Sequence, residues 1–145
     1  MTLWYLVLGK VLGAVASCAY DYRVSSEDME NLRLLKKYLQ KHSIVVYFNH
    51  IFLGDGPLVL AFLLNTLGDS IQAIGVAESQ KHYDFTRSPL HALILRAGSL
   101  LGVKAFPVVQ HYDRDAYTYK ERLTLLRNFV SGARQILSRA GGVLL

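Results

Sequence analysis

A single cysteine, Cys18, stands in 145 residues, which excludes both an intramolecular disulfide and a cysteine-rich zinc site within one chain. Cys18 reads as a small apolar residue and not as a reactive thiol. Also missing is any concentrated run of one charge sign. Lys and Arg outnumber Asp and Glu by 16 to 11, a formal net charge of +5, yet they are dispersed along the chain. Dispersal argues against a nucleic-acid patch, and the positive balance suits an anionic surface such as phospholipid head groups. Repeats, low-complexity stretches and flexible linkers are absent as well.

Apolar residues are plentiful: 52% of the chain is hydrophobic, 19% charged, and mean hydropathy is +0.24. That is greasier than an ordinary soluble domain and implies apolar surface intended for more than a core. From Met1 to Tyr20 the chain is apolar but broken by Lys10, and it is marginal against the ~20 residues of a membrane span. On a helix, Leu3, Trp4, Val7, Leu8, Val11, Leu12 and Val15 form a bulky face, with Thr2, Gly9, Lys10, Gly13 and Ser17 largely opposite. This pattern predicts a helix lying in a membrane interface, Lys10 reaching toward head groups. Val15-Ala16-Ser17-Cys18 resembles a lipoprotein cleavage box, but no cation precedes the apolar stretch as a secretory leader requires. Gly9 and Gly13 also have G-x-x-x-G spacing, a signal for close helix packing.

Residues 1–22 are therefore read as an N-terminal apolar interface helix and 23–145 as one α/β domain. Ser25 or Ser26 caps a helix running to about Lys41, with Met29, Leu32, Leu35 and Leu39 as its buried stripe. Ser43 to Phe48 is a short β-branched apolar run, the pattern of a strand buried on both faces. Asp55 caps a helix from Gly56 to Leu67, with Pro57 in its first turn. A strand near Gln72–Ala77, a helix near Pro89–Leu101, a strand near Lys104–Val109 and a helix from about Tyr117 to Arg139 follow. In the last helix Leu123, Leu126, Val130 and Leu137 are expected to face inward. Alternation of this kind predicts a layered α/β fold with a mostly parallel sheet. Gly141 to Leu145 reads as a turn opening a new buried strand, as if the chain stopped before its domain was complete.

Ligand and catalytic groups in open α/β sheets gather outside the carboxyl ends of strands. Asn49-His50 follows the first strand and Asp55 opens the next helix, so a tight turn could bring the carboxylate onto the imidazole. A carboxylate on one ring nitrogen fixes the tautomer and leaves the other free to accept a proton. No serine lies in a G-x-S-x-G elbow and Cys18 is not placed to help, so the nucleophile would be the substrate's own hydroxyl. His82, His91 and His111 lack metal-ligand spacing to His50, and no metal site is expected. Local hydrogen bonding or solvent exposure accounts for them and for Glu78 and Asp84.

Asn49-His50-Ile51-Phe52-Leu53-Gly54-Asp55 resembles the first motif, N-H-x-x-x-x-D, of the glycerolipid acyltransferase family, which includes the lysophosphatidic acid acyltransferases. The resemblance runs from roughly Asn31 to Leu145. It implies a fatty acyl transfer from acyl-coenzyme A or acyl-carrier protein to a lysophospholipid or other glycerolipid hydroxyl, without cofactor, at the cytoplasmic face of a membrane. His50 would be the general base and Asp55 its partner. Ala105 to Gln110 is similar to the family segment that ends in an arginine contacting the acceptor phosphate. Gln110 holds the arginine position here, and Arg114 four residues on could supply the guanidinium or pair with Asp113 or Asp115. Asn49, Gln110 and Arg114 are thus the expected substrate-binding residues. Gly141 to Leu145 resembles the approach to the family's F-P-E-G-T-R motif, which is absent, so the chain alone is expected to be inactive. Two rival readings are a non-catalytic lipid-binding module on the membrane surface and a hydrolase using the His-Asp pair on water.

Overall fold

The computed structural model describes residues 2–19, 24–47 and 55–145. Among the described residues, four strands form one sheet: β1 (Ile44–Val45), β2 (Ala73–Ser79), β3 (Val103–Val108) and β4 (Gly142–Leu144). Their order is β1-β4-β2-β3 and every neighbouring pair is parallel. A parallel pair cannot be joined by a tight hairpin, so each connection carries a crossover helix. These are α3 (Asp55–Leu67), α4 (Pro89–Leu100) and α5 (Tyr119–Leu137), preceded by α1 (Thr2–Ala19) and α2 (Ser26–Leu39). The α/β class and mostly parallel sheet expected from the alternation are therefore present, and Gly141–Leu145 does open a strand, paired between β1 and β2.

Side chains alternate across the sheet and divide the core in two. Ile74, Val103 and Val143 lie side by side and pack with Leu63, Leu64 and Leu67 of α3, together with Tyr5 and Leu8 of α1. On the opposite face Gly75, Phe106 and Leu144 meet Ile136 of α5. The Phe106 ring also sits edge-on to Phe129, with centroids 6.3 Å apart.

The cap of α2 is read correctly from its sequence. Ser25 accepts a hydrogen bond from the Asp28 amide at 3.1 Å, and the Asp28 carboxylate accepts one from the Ser25 amide at 3.0 Å. Together they satisfy two of the donors that a helix N-terminus leaves unpaired. Leu39 is fully buried, with Leu32 and Leu35 against the core, whereas Met29 is exposed.

The expectations for the first strand and for α5 are corrected. The first strand is not buried on both faces: β1 is an edge strand paired only with β4 among the described strands, and Val45 and Tyr47 are 64% and 91% exposed. In α5, Leu126 and Val130 face outward, and Ala133 and Ile136 are its buried residues. A helix of 19 residues is about 28 Å long, longer than the 6-residue β3 at roughly 20 Å. Only its later turns cover the sheet.

The first helix is seated by its glycines. A Cβ on Gly9 would lie 2.1 Å from the Leu64 carbonyl oxygen, and one on Gly13 would lie 2.8 Å from Asn65 Cγ. Backbone therefore meets backbone between α1 and α3. Tyr5 lies beside Gly68 while Gly9 lies beside Leu64 and Asn65, so the two helices run antiparallel. The Tyr5 hydroxyl donates to the Gly102 carbonyl at 2.8 Å and the Trp4 indole nitrogen to the Leu101 carbonyl at 3.0 Å. Tyr5, Leu8, Gly9 and Gly13 of α1 face inward, while Lys10 and the stripe Leu3, Val7, Val11 and Val15 are exposed; Leu8 and Leu12, expected on the outward bulky face, instead pack against the core because α3 covers that side. None of the described helices is long and apolar enough to cross a membrane.

Candidate functional site

All four strands point their carboxyl ends to one edge of the sheet, because all are parallel. Of the expected site residues, Asn49 and His50 lie outside the described residues, and Asp55 is the first residue of α3. Residues 46–54 thus connect β1 to α3 in the chain, and Asn49 and His50 belong to that connection.

At the end of β3 the chain passes through Val109 and Gln110 into a 3-10 helix, His111–Ala116. Gln110 and Arg114 line one open groove of about 260 Å³ with His111, Arg122 of α5, and an apolar floor including Val108 and Leu126. Arg114 forms no ion pair with Asp113 or Asp115; Asp113 faces Lys81 instead, at 3.5 Å. Among the described residues neither Arg114 nor Arg122 has a side-chain partner, so the two arginines that line the groove carry no anionic partner there. Two planar donor forks over an apolar floor can hold a phosphate monoester attached to an apolar chain.

Asp113 anchors the 3-10 helix that carries Arg114. Its carboxylate accepts from Ser79 Oγ at 3.4 Å and pairs with Lys81, whose ammonium sits 4.2 Å over the Tyr112 ring. Tyr112, and after it Asp113, hold the Lys81 pKa above its ordinary value. Ser79 is buried at the end of β2, so this network ties the groove to the centre of the sheet.

Glu78, His82 and His91 also converge. Glu78 Oε1 accepts from the Ser79 amide at 3.0 Å and shares a hydrogen bond with His82 Nδ1 at 2.6 Å. The His82 ring stacks on His91 of α4, centroids 4.5 Å apart. Tyr83 nearby has a buried hydroxyl with no partner among the described residues, and burial, then the Glu78 charge, push its pKa upward. Among the described residues no group of three or more His, Cys, Asp or Glu could hold a metal ion.

Arg122 was not among the residues expected from the sequence, since it belongs to no motif. Its one signal is a cation in the first turn of a helix, against the macrodipole, and Lys120 in the same turn shares it, so the sequence alone does not single out Arg122. Comparison of the chain with protein-family models, with curated proteins and with solved structures finds no match in any of the three.

Proposed function

We propose that the chain belongs to an O-acyltransferase that moves a fatty acyl group from acyl-coenzyme A or acyl-carrier protein to a hydroxyl of a lysophospholipid in a cytoplasmic membrane leaflet. The observation that carries this reading is the location of the N-H-x-x-x-x-D segment, between the carboxyl end of β1 and the first residue of α3 in a parallel sheet. That is where a sheet of this class binds ligands.

In the proposed reaction His50 removes the proton from the acceptor hydroxyl as its oxygen attacks the thioester carbonyl. Asp55 holds the imidazole and stabilises its charge. The tetrahedral intermediate collapses with loss of the thiolate, which takes up the proton from His50. Arg114 and Arg122, with Gln110, hold the acceptor phosphate in the groove, and this supports a phosphorylated acceptor although Gln110 replaces the expected arginine. Strand spacing puts the ends of β1 and β3 roughly 14 Å apart. The reading therefore requires residues 48–54 to present His50 across β4 and β2 toward the groove.

The test is acyl transfer by the complete protein from labelled acyl-coenzyme A to a panel of lysolipids. His50→Ala is expected to lower turnover by roughly 10²–10⁴-fold. Turnover unaffected by that substitution refutes the assignment of the base. Release of free fatty acid without transfer to any acceptor would instead favour hydrolysis.

A further inference from the structure

The bulky stripe of α1 does not end with α1. The Trp4–Leu101 and Tyr5–Gly102 hydrogen bonds bring the start of α1 against the end of α4, and Trp4 and Leu100 border the same depression. Leu100 is 90% exposed, and Leu93, two turns earlier on the same helix, is 58% exposed. Helical spacing of seven residues aligns them on one side. Two neighbouring helices thus present apolar residues outward, joined at Trp4.

Charge narrows what can cover this surface. Thr2–Ala19 and Pro89–Leu100 contain no Asp or Glu. The exposed cations among them are Lys10 and Arg96, with Arg96 lying 4.3 Å from the Phe85 ring centroid. An isologous contact between two copies places like charges in one apolar interface with no acid to neutralise them, which is unfavourable. The glycine face, which could otherwise pair helices, is already occupied by α3. An apolar surface with sparse cations and no anion fits the interface of an anionic bilayer.

We propose that α1 and the outer side of α4 together form one rigid membrane-docking surface that takes an anionic lipid leaflet, with Trp4 and Leu100 at its junction. The surface is part of the folded domain, because Tyr5 and Leu8 beneath it are core residues. Since α1 runs antiparallel to α3, the stripe climbs toward the edge where α3 begins. Its use in presenting a lipid acceptor rests on the acyl-transfer reading; the docking itself does not.

Flotation of the full chain with vesicles tests it, using phosphatidylcholine alone and an equal mixture with phosphatidylglycerol, without thioester. The unmodified chain is expected to float with the anionic vesicles only. Leu93→Glu/Leu100→Glu and Val7→Glu/Val11→Glu are each expected to weaken flotation roughly tenfold or more, from lost insertion and added repulsion. Leu34→Glu, on the exposed side of α2, is expected to float as the parent does. Flotation of the α4 pair at the parent level overturns the proposal, as does an unmodified chain that ignores vesicles and self-associates. A measurement needing no variant uses Trp4, the only tryptophan: brominated lipid in the anionic vesicles is expected to quench it, and undiminished fluorescence in bound chain overturns the proposal. Vesicle binding by the chain, together with no acyl transfer by the complete protein to any lysolipid, would leave the docking surface standing and remove the acyl-transfer reading alone.

Discussion

Replacing glycine by alanine at positions 9 and 98 should change stability in opposite directions. Alanine is favoured over glycine in a helix by about 1 kcal/mol. At Gly98 a new Cβ would lie 3.8 Å from Val103 Cβ, an ordinary contact, so Gly98→Ala should stabilise by nearly that amount. At Gly9 the new carbon would lie 2.1 Å from the Leu64 oxygen and 2.6 Å from the Asn65 nitrogen. Both are backbone atoms of α3 and cannot rotate away, so α1 has to withdraw by about an ångström. A gap of that size forfeits a quarter to a half of the contact energy of each facing atom. Applied to the buried Tyr5 and Leu8, each worth about 1.5–3 kcal/mol, the loss is about 1–3 kcal/mol. Weakening the Tyr5–Gly102 hydrogen bond adds about 1 kcal/mol. After the helix-propensity gain, Gly9→Ala should be destabilised by a net ~1–3 kcal/mol. Urea denaturation followed by far-ultraviolet circular dichroism gives both values, and Trp4 fluorescence reports whether α1 leaves α4. A Gly9→Ala midpoint equal to or above the parent's would refute the seating of α1 on α3.

Arg114→Gln and Arg122→Gln should each raise KM for phosphate-bearing acceptors by roughly 10–100-fold, the loss of one charge-assisted hydrogen bond, with little effect on uncharged acceptors; acceptor titrations check this. Burial raises the pKa of both Tyr5 and Tyr83. Their contribution to stability is complete below the unfolded tyrosine value near 10 and is lost as pH rises through the higher folded values, because the unfolded state gives up the proton first. Denaturation midpoints should therefore fall above that pH, less steeply in Tyr5→Phe. Asp28 and Glu121 are held below the ordinary carboxylate range by hydrogen bonds from Ser25 and Thr118. Their capping is present above the unfolded carboxylate values and is lost as pH falls through the folded ones, so the first turns of α2 and α5 should fray in acid. Amide exchange at those turns measures it.

Element type was legible wherever local chemistry decides it. The Ser25 cap bonds as its S-x-x-D spacing implies, and the alternation of apolar runs with capped helices yields the parallel sheet. What the local pattern could not reveal was strand order and overhang. Ile44 and Val45 have the composition of a central strand, but β4, far along the chain, pairs on one side only, so Val45 is exposed. The periodicity of α5 is genuine, yet Leu126 lies past the end of the sheet, where an apolar residue borders the groove in place of the core. Gly9 and Gly13 signalled close packing without naming a partner. At the candidate site Gln110 and Arg114 were found by motif position, while Arg122 reaches the groove only through the fold.

The placement of β4 has a consequence for synthesis. It separates β1 from β2, and it starts with Gly142, whereas β1 ends at Val45. Nearly a hundred residues must therefore be made after the first strand before its neighbour exists, roughly 5–20 s at ordinary elongation rates. During that interval the apolar segment of β1 has no native strand to pair with, while β2 and β3 can already join. The emerging chain would thus need this unpaired apolar segment shielded, and a slowed ribosome would lengthen that exposure without altering the finished fold.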